Sequence, residues 1–304
     1  MIDDQMGPIR RFNHASYGYA VLVILNLWDL GTSISAQLQR RRTPAANMNW
    51  PTDSSSLVSL IFIYLAAYLN QRAVTPPKFP TPPPLASKEP LPAERRTLLE
   101  RTIYRNVAVT NFIEKAVVWT AAGTEIATLV LSRWFPSWRL SSIVLGYLFR
   151  PGGHPERIWQ FNALSSLLFL GTTLIILGGA VRLMCFRTMG EMFTFEHTVK
   201  KDHRLMKTGP YSVVRHPSYI GMIMILVGTG LWQAAPGSWT RESGYLETWP
   251  GALWAAAGIL WLGTLCVAFV LRSSEEDMVL SKQFGEEWNE WAKSVRYLLV
   301  PGVY

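Results

Sequence analysis

Charge is scarce in this chain. Asp, Glu, Lys and Arg together make up 16% of its 304 residues, against roughly 25% in an ordinary soluble domain. Cysteine is scarcer still. Cys185 and Cys266 are the only two, both inside apolar runs, which excludes a disulfide framework and gives no metal-ligating cluster. Two of the five histidines, His14 and His154, stand alone, and no spacing resembles a zinc site. A cleavable signal is also missing: the first twenty residues are polar and mixed in charge, and no small-residue cleavage site follows the first apolar run. Acidic residues are outnumbered, 21 to 29, giving a net charge of +8. The bases are spread between apolar runs instead of gathered on one face, which suits loops beside an anionic leaflet better than nucleic acid. What the chain does have is apolar sequence in blocks, 49% of the total. It reads as an integral membrane protein, all-α, with about six transmembrane helices (five to seven).

The spans fall at 17–35, 57–70 extended at both ends, 107–131, 158–186, 219–232 and 252–271. Asp29 weakens the first, and Glu114, Lys115 and Glu125 mark the third, where they are expected to face other helices. Eight prolines between 76 and 92 form a semi-rigid extended linker. Trp134, Trp138 and Tyr147 mark an interfacial stretch. Gly171, Gly178, Gly179 and Ala180 offer close helix contacts. Val227-Gly-Thr-Gly230 mimics half a dinucleotide loop, but it lies inside an apolar run with no preceding strand, so those glycines read as helix packing. The tail reads as an amphipathic interfacial helix over 274–295, with Met278, Phe284, Trp288 and Trp291 sharing one side.

Domain organisation follows. Residues 1–74 hold the N-terminal spans, 75–106 a proline-rich then basic linker, and 107–304 a membrane core with polar motifs at 196–221 and 272–291. Basic residues after the fourth and sixth spans place both on the cytosolic side. Arg40, Arg41 and Arg42 then fall opposite. Either the first two runs form a shallow hairpin, or the count of six is off by one.

Between two apolar runs the stretch 203–221, HRLMKTGPYSVVRHPSYIG, concentrates two histidines, Lys207, Arg215, Gly209 and two prolines. Lipid does not tolerate loose polar backbone, so such a segment sits at the interface or lines a protein-enclosed cavity. After the last span comes Arg272-Ser-Ser-Glu275-Glu276-Asp277. A helical hairpin returns the chain to its starting face, so both clusters meet at one mouth. Carboxylates and aromatic faces suit a cationic ligand, and an arginine fork suits a carboxylate or phosphate. An ion pair at a helix start is the plainer reading of the same acidic run.

The first stretch, from His203 through Gly-Pro-Tyr211 and Arg215-His216-Pro217-Ser218-Tyr219 to Gly221, resembles the cofactor motif of the isoprenylcysteine carboxyl methyltransferases. The tail RSSEEDMVLSKQFGEEWNEW resembles that family's second motif. The resemblance covers about 110 residues, from Glu196 onward. It implies that Glu196, His203, Arg204, Leu205, Met206, Tyr211, His216, Pro217, Ser218, Tyr219 and Glu276 contact S-adenosylmethionine, and that Arg272 holds the substrate carboxylate. It further implies a helical membrane bundle of the endoplasmic reticulum, a cofactor pocket open to the cytosol, and a prenylated cysteine substrate reaching it laterally through the bilayer. Glu196 stands where the family often has a neutral amide, Trp288 and Trp291 stand where it has tyrosines, and Gln233-Ala-Ala-Pro236 lacks an asparagine often found before that proline. A membrane sterol reductase using a nicotinamide cofactor, a phospholipid N-methyltransferase and a non-enzymatic scaffold recruiting partners through the proline-rich linker are the alternatives. Oligomeric state and prenyl length preference are not legible.

Overall fold

A computed structural model describes residues 53–75, 77, 107–150, 166–193 and 204–303. Among these the secondary structure is entirely helical. The main elements are α1 (Asp53–Ala73), α2 (Val107–Trp134), α3 (Arg139–Leu148), α4 (Ser166–Met189), α5 (Pro217–Ala234), the single turn α6 (Trp239–Glu242), α7 (Trp249–Phe284) and α8 (Glu286–Ser294).

Three helical stretches are long and apolar enough to cross a membrane: Ser166–Met189, Pro217–Glu242 and Trp249–Phe284. They correspond to the last three of the six expected spans. The run at 17–35 lies outside the described residues. The second run is helical, but its apolar part, Leu57–Ala73, is short. The third is the helix α2, whose 28 residues include Glu114, Lys115 and Glu125, so its hydropathy falls below that of a plain span.

The centre of the bundle is the hairpin of α4 and α5. Between lipid-embedded helices the hydrophobic effect supplies little, so close packing and hydrogen bonding hold them together. Glycines permit that approach. A Cβ placed on Gly178 would lie 2.5 Å from the carbonyl oxygen of Gly221, and one on Gly171 would lie 2.8 Å from that of Gly228. The half-motif at 227–230 is therefore helix packing, as its apolar setting implies.

Buried polar groups add directional ties. Glu125 of α2 accepts hydrogen bonds from the indole of Trp232 at 2.9 Å and from the backbone N–H of Trp239 at 3.0 Å. That carboxylate pins the far end of α5 and the start of α6. Glu114 accepts from Asn70 of α1 at 3.1 Å. Both carboxylates of α2 are thus buried against other helices, as intramembrane acids require; Asn70 is the hydrogen-bond partner of Glu114, and the charge of Lys115 beside it compensates in part.

Thr248 caps α7, accepting from the backbone N–H of Gly251 at 3.2 Å. The helix then runs unbroken for 36 residues, about 54 Å at 1.5 Å per residue. The expected tail helix over 274–295 is therefore two pieces. Residues up to Phe284 continue the last span, Gly285 breaks the helix at φ 53 and ψ −120, and α8 follows for nine residues. Glycine at that break accepts a positive φ at no steric penalty.

Candidate functional site

The first polar motif forms the connection from α4 to α5. Residues 204–208 run irregularly, then a short 3-10 turn, Gly209–Ser212, leads to α5. Gly209 at φ +62 supplies the left-handed turn. Pro217 starts α5, where its missing N–H leaves nothing unsatisfied. The segment is anchored by the chain's end: the backbone N–H groups of Arg215 and His216 donate to the carbonyls of Tyr297 and Leu298 at 3.0 and 2.9 Å. This answers the requirement that polar backbone beside a membrane find partners.

The second motif approaches along α7, and the two meet at Tyr219. Arg272 Nε donates to the Tyr219 hydroxyl at 2.5 Å, and that hydroxyl donates to Glu276. The Arg272 guanidinium also lies over the Tyr219 ring, 5.4 Å from its centroid. Arg272 and Glu276 are one helical turn apart, so a single phenol from α5 bridges both. On the adjacent face Asp277 takes His216 Nε2 at 2.8 Å and Arg215 Nε at 3.2 Å, and the His216 ring stacks on Tyr219 with centroids 5.5 Å apart.

Near this network lies an apolar cluster. Cys185, Tyr211, Trp291 and Val295 are buried together, with Met189, Leu205, Met206 and Trp288 packed against them. The Tyr211 hydroxyl donates to Met189 Sδ at 2.9 Å. Burial pushes the Tyr211 phenol well above its ordinary range, with Cys185 and the nearby Glu276 carboxylate adding to the shift.

Of the residues expected there, Leu205, Met206, Tyr211, His216, Pro217, Ser218, Tyr219, Arg272 and Glu276 are gathered at this end of the α4–α5–α7 bundle. Arg204 is exposed. Glu196 and His203 lie outside the described residues. The His216 imidazole is turned to Asp277 and the Ser218 hydroxyl accepts from Arg182 at 3.1 Å, so both side chains shape the site from behind.

One contributor escaped the sequence reading of the site, and Asp277 and Arg215, read there only as members of the two polar motifs, gain specific partners. Arg182, deep in the most apolar run, donates to the Ala73 carbonyl at 2.8 Å and to both Ser218 oxygens. Asp277 clamps His216 and Arg215. Arg215 in turn lies over the Trp288 ring at 5.6 Å. An arginine inside a span was the available signal for Arg182, because such residues are seldom without a buried role.

A methyl-donor nucleoside fits these residues. A sulfonium cation suits the Glu276 carboxylate. The indole N–H groups of Trp288 and Trp291 are buried with no acceptor, and in a native site such donors call for a ligand or water.

Residues 170–236 match the isoprenylcysteine carboxyl methyltransferase (ICMT) family. That range begins within α4, before the resemblance read from the motifs, and ends before α7. A protein-S-isoprenylcysteine O-methyltransferase of Saccharomyces cerevisiae is 45% identical over 78 residues, covering 25% of this chain and 33% of the yeast protein. Protein-S-isoprenylcysteine O-methyltransferase B of Arabidopsis thaliana is 26% identical over 189 residues, covering 60% of this chain and 82% of its own length. A Delta(14)-sterol reductase of Neurospora crassa is 27% identical over 175 residues, covering 50% of this chain and 35% of the reductase. The chain thus spans a third of the yeast relative and most of the plant one. Over the hairpin that carries its first polar motif, this chain is similar to the isoprenylcysteine carboxyl methyltransferases.

Proposed function

We propose that this chain transfers a methyl group from S-adenosylmethionine to the C-terminal carboxylate of a prenylated cysteine. The observation that carries the proposal is the Tyr219 hydroxyl, which accepts from Arg272 and donates to Glu276. One phenol thereby joins a carboxylate-binding cation to a sulfonium-binding anion. Arg272 orients the acceptor oxygen. Glu276, Tyr211, Leu205, Met206 and the Trp288–Trp291 pair hold the cofactor, and the family resemblance adds Glu196, His203 and Arg204 as further contacts. The cofactor supplies an electrophilic methyl.

The acceptor carboxylate is already ionised at neutral pH, so the residues need supply no strong base. Their contribution is alignment, which for well-oriented reactants is worth up to ~7–11 kcal/mol. Too tight a grip by Arg272 would quench the nucleophile, and Tyr219 tempers it by occupying one of its donors. The domain division at 75 and 107, residence in the endoplasmic reticulum, a mouth on the cytosolic side and an interfacial position for α8 belong to the same proposal.

Radiolabelled methyl transfer to N-acetyl-S-farnesylcysteine tests it. Wild type is active, Arg272→Ala loses most activity with its thermal midpoint kept, and Tyr219→Phe loses at least about 10- to 150-fold, as the loss of either of its two charge-assisted hydrogen bonds alone predicts. Normal turnover by Arg272→Ala removes the role given to that residue. The Neurospora relative supports a second reading, a nicotinamide-dependent reductase. Calorimetric binding of NADPH in place of S-adenosylmethionine would establish it.

A further inference from the structure

We infer that the end of the bundle opposite the candidate site carries a binding surface for anionic phospholipid, built on α3 and gripped by Arg139 and Arg150. The helix has ten residues, about 15 Å, half of what crossing the ~30 Å hydrocarbon takes. It is tied to the far end of the bundle instead. The Trp239 indole donates to the Leu148 carbonyl at 3.0 Å, the Arg150 backbone N–H donates to the Ser243 carbonyl at 3.0 Å, and the Tyr245 hydroxyl donates to the Tyr147 carbonyl at 3.4 Å. Glu125 pins Trp232 and Trp239 to the same end. The 18 residues of α5, about 27 Å, therefore separate α3 from the Tyr219 network.

The outward side of α3 is the apolar one. Leu140, Ile143 and Tyr147 share a helical face, and all three are exposed, Tyr147 at 80%. Ser141 is buried and donates to the Phe135 carbonyl at 2.6 Å. In the turn before the helix Trp134, Phe135 and Trp138 are exposed as well, the last two with ring centroids 5.6 Å apart. An exposed apolar patch of this size marks contact with a membrane or with another protein.

Charge decides between the two. From Ile126 to Arg150 the chain has three arginines and no Asp or Glu. Glu125 and Glu242, at the same end, are buried and accept from N–H donors, which leaves Glu247 as the exposed acid of the 237–249 connection. Two copies meeting through this face would set arginine against arginine, a juxtaposition that opposes association. A lipid leaflet satisfies every part of it: aromatic rings at headgroup level, the Leu140–Ile143–Tyr147 face among acyl carbons, and guanidinium forks on phosphate oxygens. Arg139 opens α3 and Arg150 follows its end, both exposed. Eleven positions, about 16 Å of chain at helical rise, separate them, so each takes its own headgroup. The Arg150 guanidinium is already held over the Tyr245 ring, 5.8 Å from its centroid. This surface is independent of the methyl-transfer reading.

In the test, full-length protein in neutral detergent is mixed with phosphatidylglycerol or phosphatidylcholine at equal mole fraction, and the lipid retained through gel filtration is counted per protein. Wild type is expected to retain phosphatidylglycerol in preference. Arg139→Gln and Arg150→Gln are each expected to lower that preference about fivefold, the factor one arginine near an anionic surface supplies, while Arg139→Lys and Arg150→Lys keep most of it because the charge remains. Equal retention of the two lipids by wild type overturns the inference, as does a preference unchanged by both glutamine substitutions. An equal loss in the lysine and glutamine variants assigns the effect to the fold and overturns it too. So does an equal loss from Arg296→Gln, exposed at the other end of the bundle, which would leave only the diffuse pull of a basic protein. Displacement of the lipid by inorganic phosphate at the same concentration would mark a free-anion site, and a dimer in light scattering that Ile143→Glu dissolves would make a second copy the occupant; either overturns the inference.

Discussion

Arg182 and Ser218 meet across the α4–α5 interface, guanidinium Nη1 to hydroxyl at 3.1 Å, while the same arginine holds the Ala73 carbonyl at the end of α1. A buried cation thus locks three helices together behind the first motif. Arg182→Leu removes the donor from three buried acceptors, the Ala73 carbonyl and both Ser218 oxygens, each worth about 1–3 kcal/mol where it is left unsatisfied. A lowered thermal midpoint in detergent and weaker S-adenosylmethionine binding by calorimetry are expected together. An unchanged midpoint would show that the lock is dispensable.

Asp277 is hydrogen-bonded to His216 Nε2 and forms an ion pair with Arg215. Asp277→Ala strips a buried imidazole and a largely buried guanidinium of their partner, a loss of about 1.5–3 kcal/mol for the charge-assisted hydrogen bond. Because His216 stacks on Tyr219, the cofactor dissociation constant should rise as well. Asp277→Asn keeps one acceptor oxygen, so its loss should be smaller; equal losses in both variants would place the effect in charge alone.

Glu125 serves two donors, Trp232 and Trp239. Glu125→Leu orphans both and is expected to lower stability by about 2–4 kcal/mol. Glu125→Gln retains the shape and one acceptor, and should fall between. Chemical denaturation of the reconstituted protein checks the order.

Glycine positions divide cleanly. Gly178→Ala brings a methyl to within 2.5 Å of the Gly221 carbonyl and must push α4 from α5, a strain of about 1–3 kcal/mol. Gly123 on α2 has nothing within 4 Å of a built Cβ, so Gly123→Ala should stabilise by up to about 1 kcal/mol. Thermal midpoints that move the same way for both would contradict the packing described here.

Tyr211 gives a pH dependence of known sign. Its phenol is held above the ordinary range by burial, so folding favours the protonated form. The stability so gained is complete below the unfolded value, near 10, and is lost as pH rises past it. Tyr211→Phe should flatten the alkaline fall in thermal midpoint. A midpoint with the same alkaline slope in both proteins would assign the fall to other groups.

The sequence carried the site further than the bundle. Tyr219, Arg272 and Glu276 were legible because two motifs flank one helical hairpin, and a hairpin brings its ends together whatever its details. Arg182 was hidden inside a run whose hydropathy dominates any window, and its partners, Ala73 and Ser218, are distant in sequence. The same non-locality hid Asn70 as the partner of Glu114, since the adjacent Lys115 is the natural local choice. The extent of the last span was misread because 252–271 ends where polarity begins, while helical backbone, satisfied internally, continues unchanged into the polar segment until Gly285 interrupts it.

That continuity has a mechanical consequence. Arg272 follows Trp249 by 23 residues on one unbroken rod, about 35 Å at 1.5 Å per residue, close to the ~30 Å thickness of the hydrocarbon. The rod therefore works as a gauge. A thicker bilayer draws the guanidinium toward the oily side of the boundary and a thinner one lifts it into headgroups, with no joint in between to absorb the difference. Under the proposed methyl transfer, the depth at which a lipid-borne carboxylate is met would follow from the length of a single helix, so the membrane's thickness itself would enter the chemistry.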